Sequence, residues 1–319
     1  MTDEQTLAQH VLQGLSAPQK ALSSAWFYDD AGSRIFQRIM ALPGYYLTRV
    51  EHDLLRQRAD ELAQRIGADH HPLELIELGS GDGEKTLTLC RALHDQGVDF
   101  IYRPMDVSTH ALAELAQRFE RHLPRTAFEP MLADYFEHWP TTSPNRRQVA
   151  MLLGSNLGNL EEGSAVALLQ RIRERLRGSD VLLLGLDLMK DPHVIQAAYD
   201  DPQGVTAQFN LNLLRRLNRE LGMNFDLEAF THFASYCPLQ GVARSFLVSS
   251  VQQVVASKVL DREFEFAAGE TLYTEQSQKY SPRSIERLAR LSGFDSTQLL
   301  TDERRGYALA VWRCPADPQ

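Results

Sequence analysis

At the usual size of about 150 residues per domain, 319 residues correspond to about two domains, long enough to bury a full-sized core. Hydrophobic residues at 43%, charged residues at 24%, 19 glycines and 14 prolines are ordinary globular values, which excludes collagen-like, low-complexity and wholly disordered chains. Thirty-three Lys plus Arg against 42 Asp plus Glu leave a formal charge of −9, a field that suits a cationic or zwitterionic small ligand and disfavours nucleic acid and anionic lipid.

Residues 1–50 lie ahead of any regular pattern and open on Met-Thr-Asp-Glu-Gln, acidic where a signal peptide is basic. From Leu73 an alternation begins: Leu73–Leu78 reads as a strand and residues 84–95 as a helix. Phe100–Met105 is the next strand, followed by a helix that sets Leu112, Leu115, Ala116 and Phe119 on one face. A weaker strand falls near Ala127–Leu132 and a strongly apolar one at Val149–Leu153. Ala165, Leu169, Ile172 and Leu176 mark a helix stopped by Gly178, and Val181–Leu186 follows as a strand too short to span a bilayer. Residues 191–279 break the rhythm, with a helix over about 205–221 and a strand over Ser245–Val255. A helix after Ser281-Pro282 then runs to Gly293, and strands at 295–300 and 307–313 are too close for a crossover, which predicts an antiparallel pair.

This order predicts an α/β fold, a doubly wound parallel sheet formed by residues 51–190 and 280–319. Residues 1–50 and 191–279 are expected to form an interleaved second, smaller α+β domain. Cys90, Cys237 and Cys314 are far apart, and the ten histidines, His70-His71 among them, match no metal spacing. The expectation is therefore a cytoplasmic protein with reduced thiols, no metal and no membrane or nucleic-acid partner.

The sharpest local signal is Glu77-Leu78-Gly79-Ser80-Gly81-Asp82-Gly83-Glu84-Lys85-Thr86, between a strand and a helix. Glycines there let the backbone turn tightly and approach a ligand, although a plain strand-to-helix turn uses them as well. The third glycine comes one residue too early for the dinucleotide fingerprint, and Glu77, Asp82 and Glu84 would repel a pyrophosphate; a cationic cofactor meets no such objection. Asp106, ending the second strand, stands where doubly wound folds bind ribose hydroxyls, or else caps the helix ahead of Ser108. Asp134 and Tyr135 either meet an adenine, as acceptor and stacking ring, or serve as a turn acid and a core ring.

Together these features resemble the class I methyltransferases that use S-adenosylmethionine, which implies a Rossmann-like sheet. Further blocks narrow the likeness: Trp26-Phe27-Tyr28-Asp29, Leu42-Pro43-Gly44-Tyr45-Tyr46-Leu47-Thr48-Arg49, Gly154-Ser155-Asn156-Leu157-Gly158-Asn159, Ala198-Tyr199-Asp200-Asp201 and Tyr273-Thr274-Glu275-Gln276-Ser277. With the glycine loop they resemble the histidine-specific Nα-methyltransferases of ergothioneine biosynthesis, over nearly the whole chain from about residue 25.

That resemblance implies an enzyme that trimethylates the α-amino group of L-histidine to hercynine, and a monomer is expected. It implies S-adenosylmethionine at Gly79, Lys85, Asp106, Asp134 and Tyr135, and the amino acid at Tyr45, Gly154, Asn159 and Tyr199, with Tyr45 and Asn159 carrying the catalytic step. Glu275 and Ser277, two apart on an extended segment, share a side and would read the imidazole. Lys85 would pair with the donor's carboxylate, and Tyr28, Phe36 or Tyr45 would face the methylated cation. Ser245 stands where a Met of the family adjoins the substrate side chain, which keeps open another amino acid or small amine as substrate. A binding module without turnover and a nicotinamide oxidoreductase are the remaining alternatives.

Overall fold

The computed structural model describes residues 3–67, 71–81 and 83–315, so Asp82 of the glycine loop and His70 lie outside the described residues. The chain divides into two compact units, Leu47–Met189 with Lys279–Gln319, and Met1–Tyr46 with Lys190–Gln278.

In chain order the smaller unit begins with helices α1 (Asp3–Ser16) and α2 (Asp30–Met40). The larger unit follows with α3 (Leu47–Gly67), β1 (Leu73–Leu78), α4 (Glu84–Asp95), β2 (Phe100–Asp106), α5 (Thr109–His122), β3 (Ala127–Phe128), β4 (Met131–Leu132), β5 (Arg147–Leu152), α6 (Glu162–Arg175) and β6 (Val181–Asp187). The smaller unit resumes with α7 (Pro192–Tyr199), α8 (Val205–Glu220), β7 (Phe230–Cys237), β8 (Val242–Ser249), β9 (Gln253–Ser257), β10 (Arg262–Phe266) and β11 (Thr271–Gln278). Helix α9 (Pro282–Leu291) and strands β12 (Ser296–Thr301) and β13 (Tyr307–Arg313) complete the larger one.

The larger unit is built on an eight-stranded sheet in the order β12-β13-β6-β5-β1-β2-β3, with β4 also pairing β2. Strands β1 to β6 pair in parallel, and β13 runs antiparallel to both β6 and β12. Alternation sorts the side chains onto two faces. Leu73, Leu75, Val181, Leu183, Leu309 and Val311 pack with residues of α3, α4 and α5, whereas Ile76, Leu78, Leu182, Leu184, Ala310 and Trp312 pack with α6 and α9. The chain winds outward from β1 through β2 to β3 and then returns to β5 on the other side of β1. The order therefore reverses between β1 and β5, and open α/β sheets bind ligands at the carboxyl ends of the strands at such a point.

The smaller unit has an antiparallel sheet β11-β8-β7 and a β9-β10 hairpin. Its core joins Leu7, Val11 and Leu15 of α1 to Phe209 and Leu213 of α8, Leu247 of β8 and Phe266 of β10. The single strand expected over Ser245–Val255 is instead two, β8 and β9, in different sheets. Ser249 makes the break: its Oγ donates to the Val251 carbonyl at 2.8 Å and accepts from Gln253 Nε2 at 2.6 Å, which closes a turn within the polar stretch Ser249-Ser250-Val251-Gln252-Gln253 between two apolar segments.

Candidate active site

The glycine loop leaves β1 with Gly79 at φ +72°, Gly81 at φ +54° and Gly83 at φ +61°, the left-handed region that glycine enters without strain. The Gly79 and Ser80 amides both donate to the Met105 carbonyl, at 2.9 and 3.0 Å, which ties the loop to the end of β2. Asp106 completes that tie. Its Oδ2 accepts the Gly81 N–H at 2.9 Å and its Oδ1 the Ser108 N–H at 2.9 Å, while the cap of α5 is Ser108 itself. The Asp106 carboxylate is thus aimed rather than used as the helix cap, and it keeps lone pairs for further donors.

The two described acids of the loop, Glu77 and Glu84, do not share one role. Glu77 is buried beneath the loop, where its carboxylate accepts from Thr86 Oγ1 at 2.6 Å and from the Tyr102 hydroxyl. Burial pushes its pKa up to about 7 against the opposing effect of those hydrogen bonds, and it adds no fixed negative charge at the loop surface. Glu84 is exposed and lies 3.6 Å from Arg118.

Tyr135 is brought to the loop: a Cβ built on Gly79 would lie 3.5 Å from its ring. One side of that ring stacks on Phe136, with centroids 4.7 Å apart, and burial pushes the hydroxyl pKa up to about 12. Asp134 is exposed, and its Oδ1 accepts the Phe136 N–H at 2.8 Å, so the turn-acid reading holds for that oxygen.

Beyond β5 the backbone turns through Gly154 at φ +84° and Ser155 at φ +61°, the latter a strained position for a residue with a Cβ. Ser155 Oγ accepts the Asp187 N–H at 2.9 Å, which holds it there, and a one-turn 3-10 helix Asn156–Asn159 follows. The Asn156 amide lies 3.6 Å from the Cβ positions of both Gly79 and Gly154, between the two loops. Asn159 is half-buried at the end of that turn.

Lys85, early in α4, is neither a solvated helix lysine nor a cation kept for a ligand alone: it forms an ion pair with Glu51 of α3, which is 1% exposed. Glu51 was not singled out from the sequence, nor were Asn156 and Tyr307. A signal for Glu51 existed, because it falls among Leu47, Leu54 and Leu55 on the apolar side of α3.

In the smaller unit Tyr45 lies edge-on to Phe36, at 6.1 Å and 81°. Phe36 and Tyr28 both contact Phe209, so the three rings proposed to face a cation belong to one aromatic cluster. Tyr199 ends α7 and is buried. On β11 the pairing register slips between Tyr273 and Glu275, leaving Thr274 as a bulge whose Oγ1 hydrogen-bonds Asn210 Oδ1 at 2.7 Å and the Ser245 carbonyl at 3.0 Å. After the bulge, Glu275 pairs with Ser245 and Ser277 with Ala243, on one face of the sheet. Ser277 and Ser245 are buried, Glu275 is half-buried, and Ser245 Oγ has no hydrogen-bond partner.

A doubly wound sheet with β13 inserted antiparallel beside β6, a glycine loop after β1 and an acid after β2 that grips this loop define a class I S-adenosylmethionine-dependent methyltransferase fold. Comparison with known proteins takes the assignment further. Residues 7–314 match the model of the S-adenosylmethionine-dependent histidine-specific methyltransferases, and the chain belongs to that family. It is 37% identical over 305 residues to the histidine N-alpha-methyltransferase of Mycobacterium tuberculosis, covering 96% of this chain and 94% of that one. It is 29% identical to ergothioneine biosynthesis protein 1 of Schizosaccharomyces pombe, over 86% of this chain and 36% of that longer one. It is also 30% identical to the 4-dimethylallyltryptophan N-methyltransferase of Claviceps fusiformis, over 61% of this chain and 58% of that one.

Proposed function

We propose that the protein is a monomeric, cytoplasmic enzyme that methylates the α-amino group of L-histidine three times, giving hercynine for ergothioneine biosynthesis. The observation that carries the substrate reading is the pair Glu275 and Ser277, a carboxylate and a hydroxyl on one face of β11 and at least partly withdrawn from water. A carboxylate takes an imidazole N–H while a hydroxyl serves the other ring nitrogen, and a ring without those groups would leave both unpaired. The relative from Mycobacterium tuberculosis supports the same substrate.

The residues present fit the donor. Gly81 has nothing within 4 Å of its Cβ position, which leaves open space above the loop, and Asp106 is held beside it with acceptor capacity for ribose hydroxyls. Tyr135 adjoins Gly79, and we assign it, with Asp134, to the adenine end and Lys85 to the carboxylate end. S-Adenosylmethionine supplies an electrophilic methyl group that the amine takes by in-line displacement, with the sulfur leaving as the neutral thioether.

The chain's own contribution is orientation. Tyr45, Asn159 and Tyr199 are assigned to the amino-acid end, where the Asn159 amide both donates and accepts, and Gly154 adjoins it. The amine must be neutral to attack, and an α-amino group of ordinary pKa about 8 supplies enough of that form without a strong base. A proton leaves the ammonium to water before each of the three transfers, and the last transfer fixes a positive charge suited to the aromatic cluster around Tyr45.

Incubation with S-adenosylmethionine and a panel of amino acids, read by mass spectrometry, tests the proposal. Histidine gaining three methyl groups in steps is the expected result, and no methylated histidine at all would remove it. A second reading, the same chemistry on another amine, is favoured by the buried, unpartnered Ser245 hydroxyl opposite Glu275, and by the Claviceps relative's tryptophan-derived substrate. A methylated product from another member of the panel alone would select it. Light scattering tests the monomer.

A further inference from the structure

We propose that Glu51 is a positioning residue through which the donor grip and the amino-acid loop depend on a single buried carboxylate. The inference rests on the assignment of Lys85 to the donor and Gly154 to the amino acid given above.

Glu51 reaches from α3 into the carboxyl edge of the sheet and is 1% exposed. Its Oε1 accepts the Gly154 N–H at 2.7 Å and the Tyr307 hydroxyl at 2.7 Å, and its Oε2 takes Lys85 Nζ. One side chain therefore joins the start of α4, the turn after β5 and the start of β13. The sheet is shaped around it: a Cβ on Gly185 of β6 would lie 2.1 Å from Oε1, so glycine in the middle of this apolar strand makes room for the carboxylate. Burial raises the Tyr307 pKa well above its ordinary value, which keeps that hydroxyl a donor.

Two consequences follow for the ligands. The Gly154 N–H is engaged by Glu51, so Gly154 serves the amino acid through its left-handed turn and missing side chain rather than as a donor. Lys85 is held by Glu51, and its Nζ lies 3.4 Å from the Cβ position of Gly154. The ammonium and the turn are thus set in register by the same carboxylate.

The test is Glu51→Gln, which keeps the shape but removes the charge and confronts three donors with a single acceptor. We expect S-adenosylhomocysteine affinity by calorimetry and the KM for histidine each to worsen by about tenfold or more. In a Lys85→Met background the same change should cost donor affinity less than about twofold, while histidine KM still rises, because only the Gly154 arm remains. Tyr307→Phe, which leaves the carboxylate and Lys85 in place, should change donor affinity less than about threefold. Should Glu51→Gln fail to fold, Glu51→Asp, which withdraws the charge by one methylene, is read the same way. A folded variant with both constants within about twofold of the wild type, or losses in donor affinity that multiply in the Lys85 cycle, overturns the inference. A wild-type protein that binds S-adenosylhomocysteine but leaves histidine unmethylated instead overturns the substrate assignment and leaves the calorimetric comparison standing.

Discussion

Asp106 is held against the glycine loop of the larger unit and Glu275 lies on β11 of the smaller, so the roles proposed for them can be tested separately. Asp106→Ala is expected to weaken S-adenosylhomocysteine binding by about tenfold with little change in histidine KM, and Glu275→Ala to do the reverse. Calorimetry and steady-state kinetics on the pair check this, and equal losses in both would refute the assignment. Glu77 governs a different property. Its pKa is about 7 in the fold against an ordinary 4.5, so between those values the folded state holds a proton that the unfolded state releases. Its contribution is complete below the lower value and is lost as pH rises through the upper one. Urea midpoints measured at about pH 5 and about pH 8 should therefore fall more for the wild type than for Glu77→Gln.

The glycine loop works as an element because the helix after it starts at one point only. Gly83 sits at φ +61° ahead of α4, and a Cβ there would lie 2.2 Å from Leu115 Cδ1 of α5. Gly83→Ala should destabilise the protein by about 1–3 kcal/mol and weaken donor binding, since the left-handed φ disfavours a Cβ and the fully buried Leu115 side chain must shift to admit it. Denaturation and calorimetry read both effects, and an unchanged variant would mean that the helix start is not constrained. The Ser249 turn is a boundary of another kind, set by one hydroxyl at the start of the polar stretch Ser249-Ser250-Val251-Gln252-Gln253. Periodicity reads elements by their faces, and it has no view of a side chain that redirects the backbone.

Each unit is assembled from separate stretches of chain, yet each has its own core. A cavity in the smaller core should therefore leave donor binding intact. Leu213→Ala, at a fully buried position, is expected to cost about 2–5 kcal/mol of stability. The S-adenosylhomocysteine affinity of the folded protein should stay within about twofold, because every residue assigned to the donor lies in the larger unit. A large loss of donor affinity at a temperature where the variant is folded would contradict that division.

The alternation of apolar runs and amphipathic stretches was enough to determine the doubly wound sheet, its terminal antiparallel pair and the glycine loop, because each depends on local periodicity and backbone freedom. The block from Gly154 to Asn159 and the pair Glu275 and Ser277 were marked by the resemblance to the methyltransferase family, because their residue types alone also suit a turn and an exposed strand edge. What Lys85 pairs with, that Glu77 points inward, and that Asp106 grips Gly81 were decided only when strands distant in sequence became neighbours. A charge reveals its partner only in three dimensions, and for Lys85 that partner is thirty-four residues away on another helix.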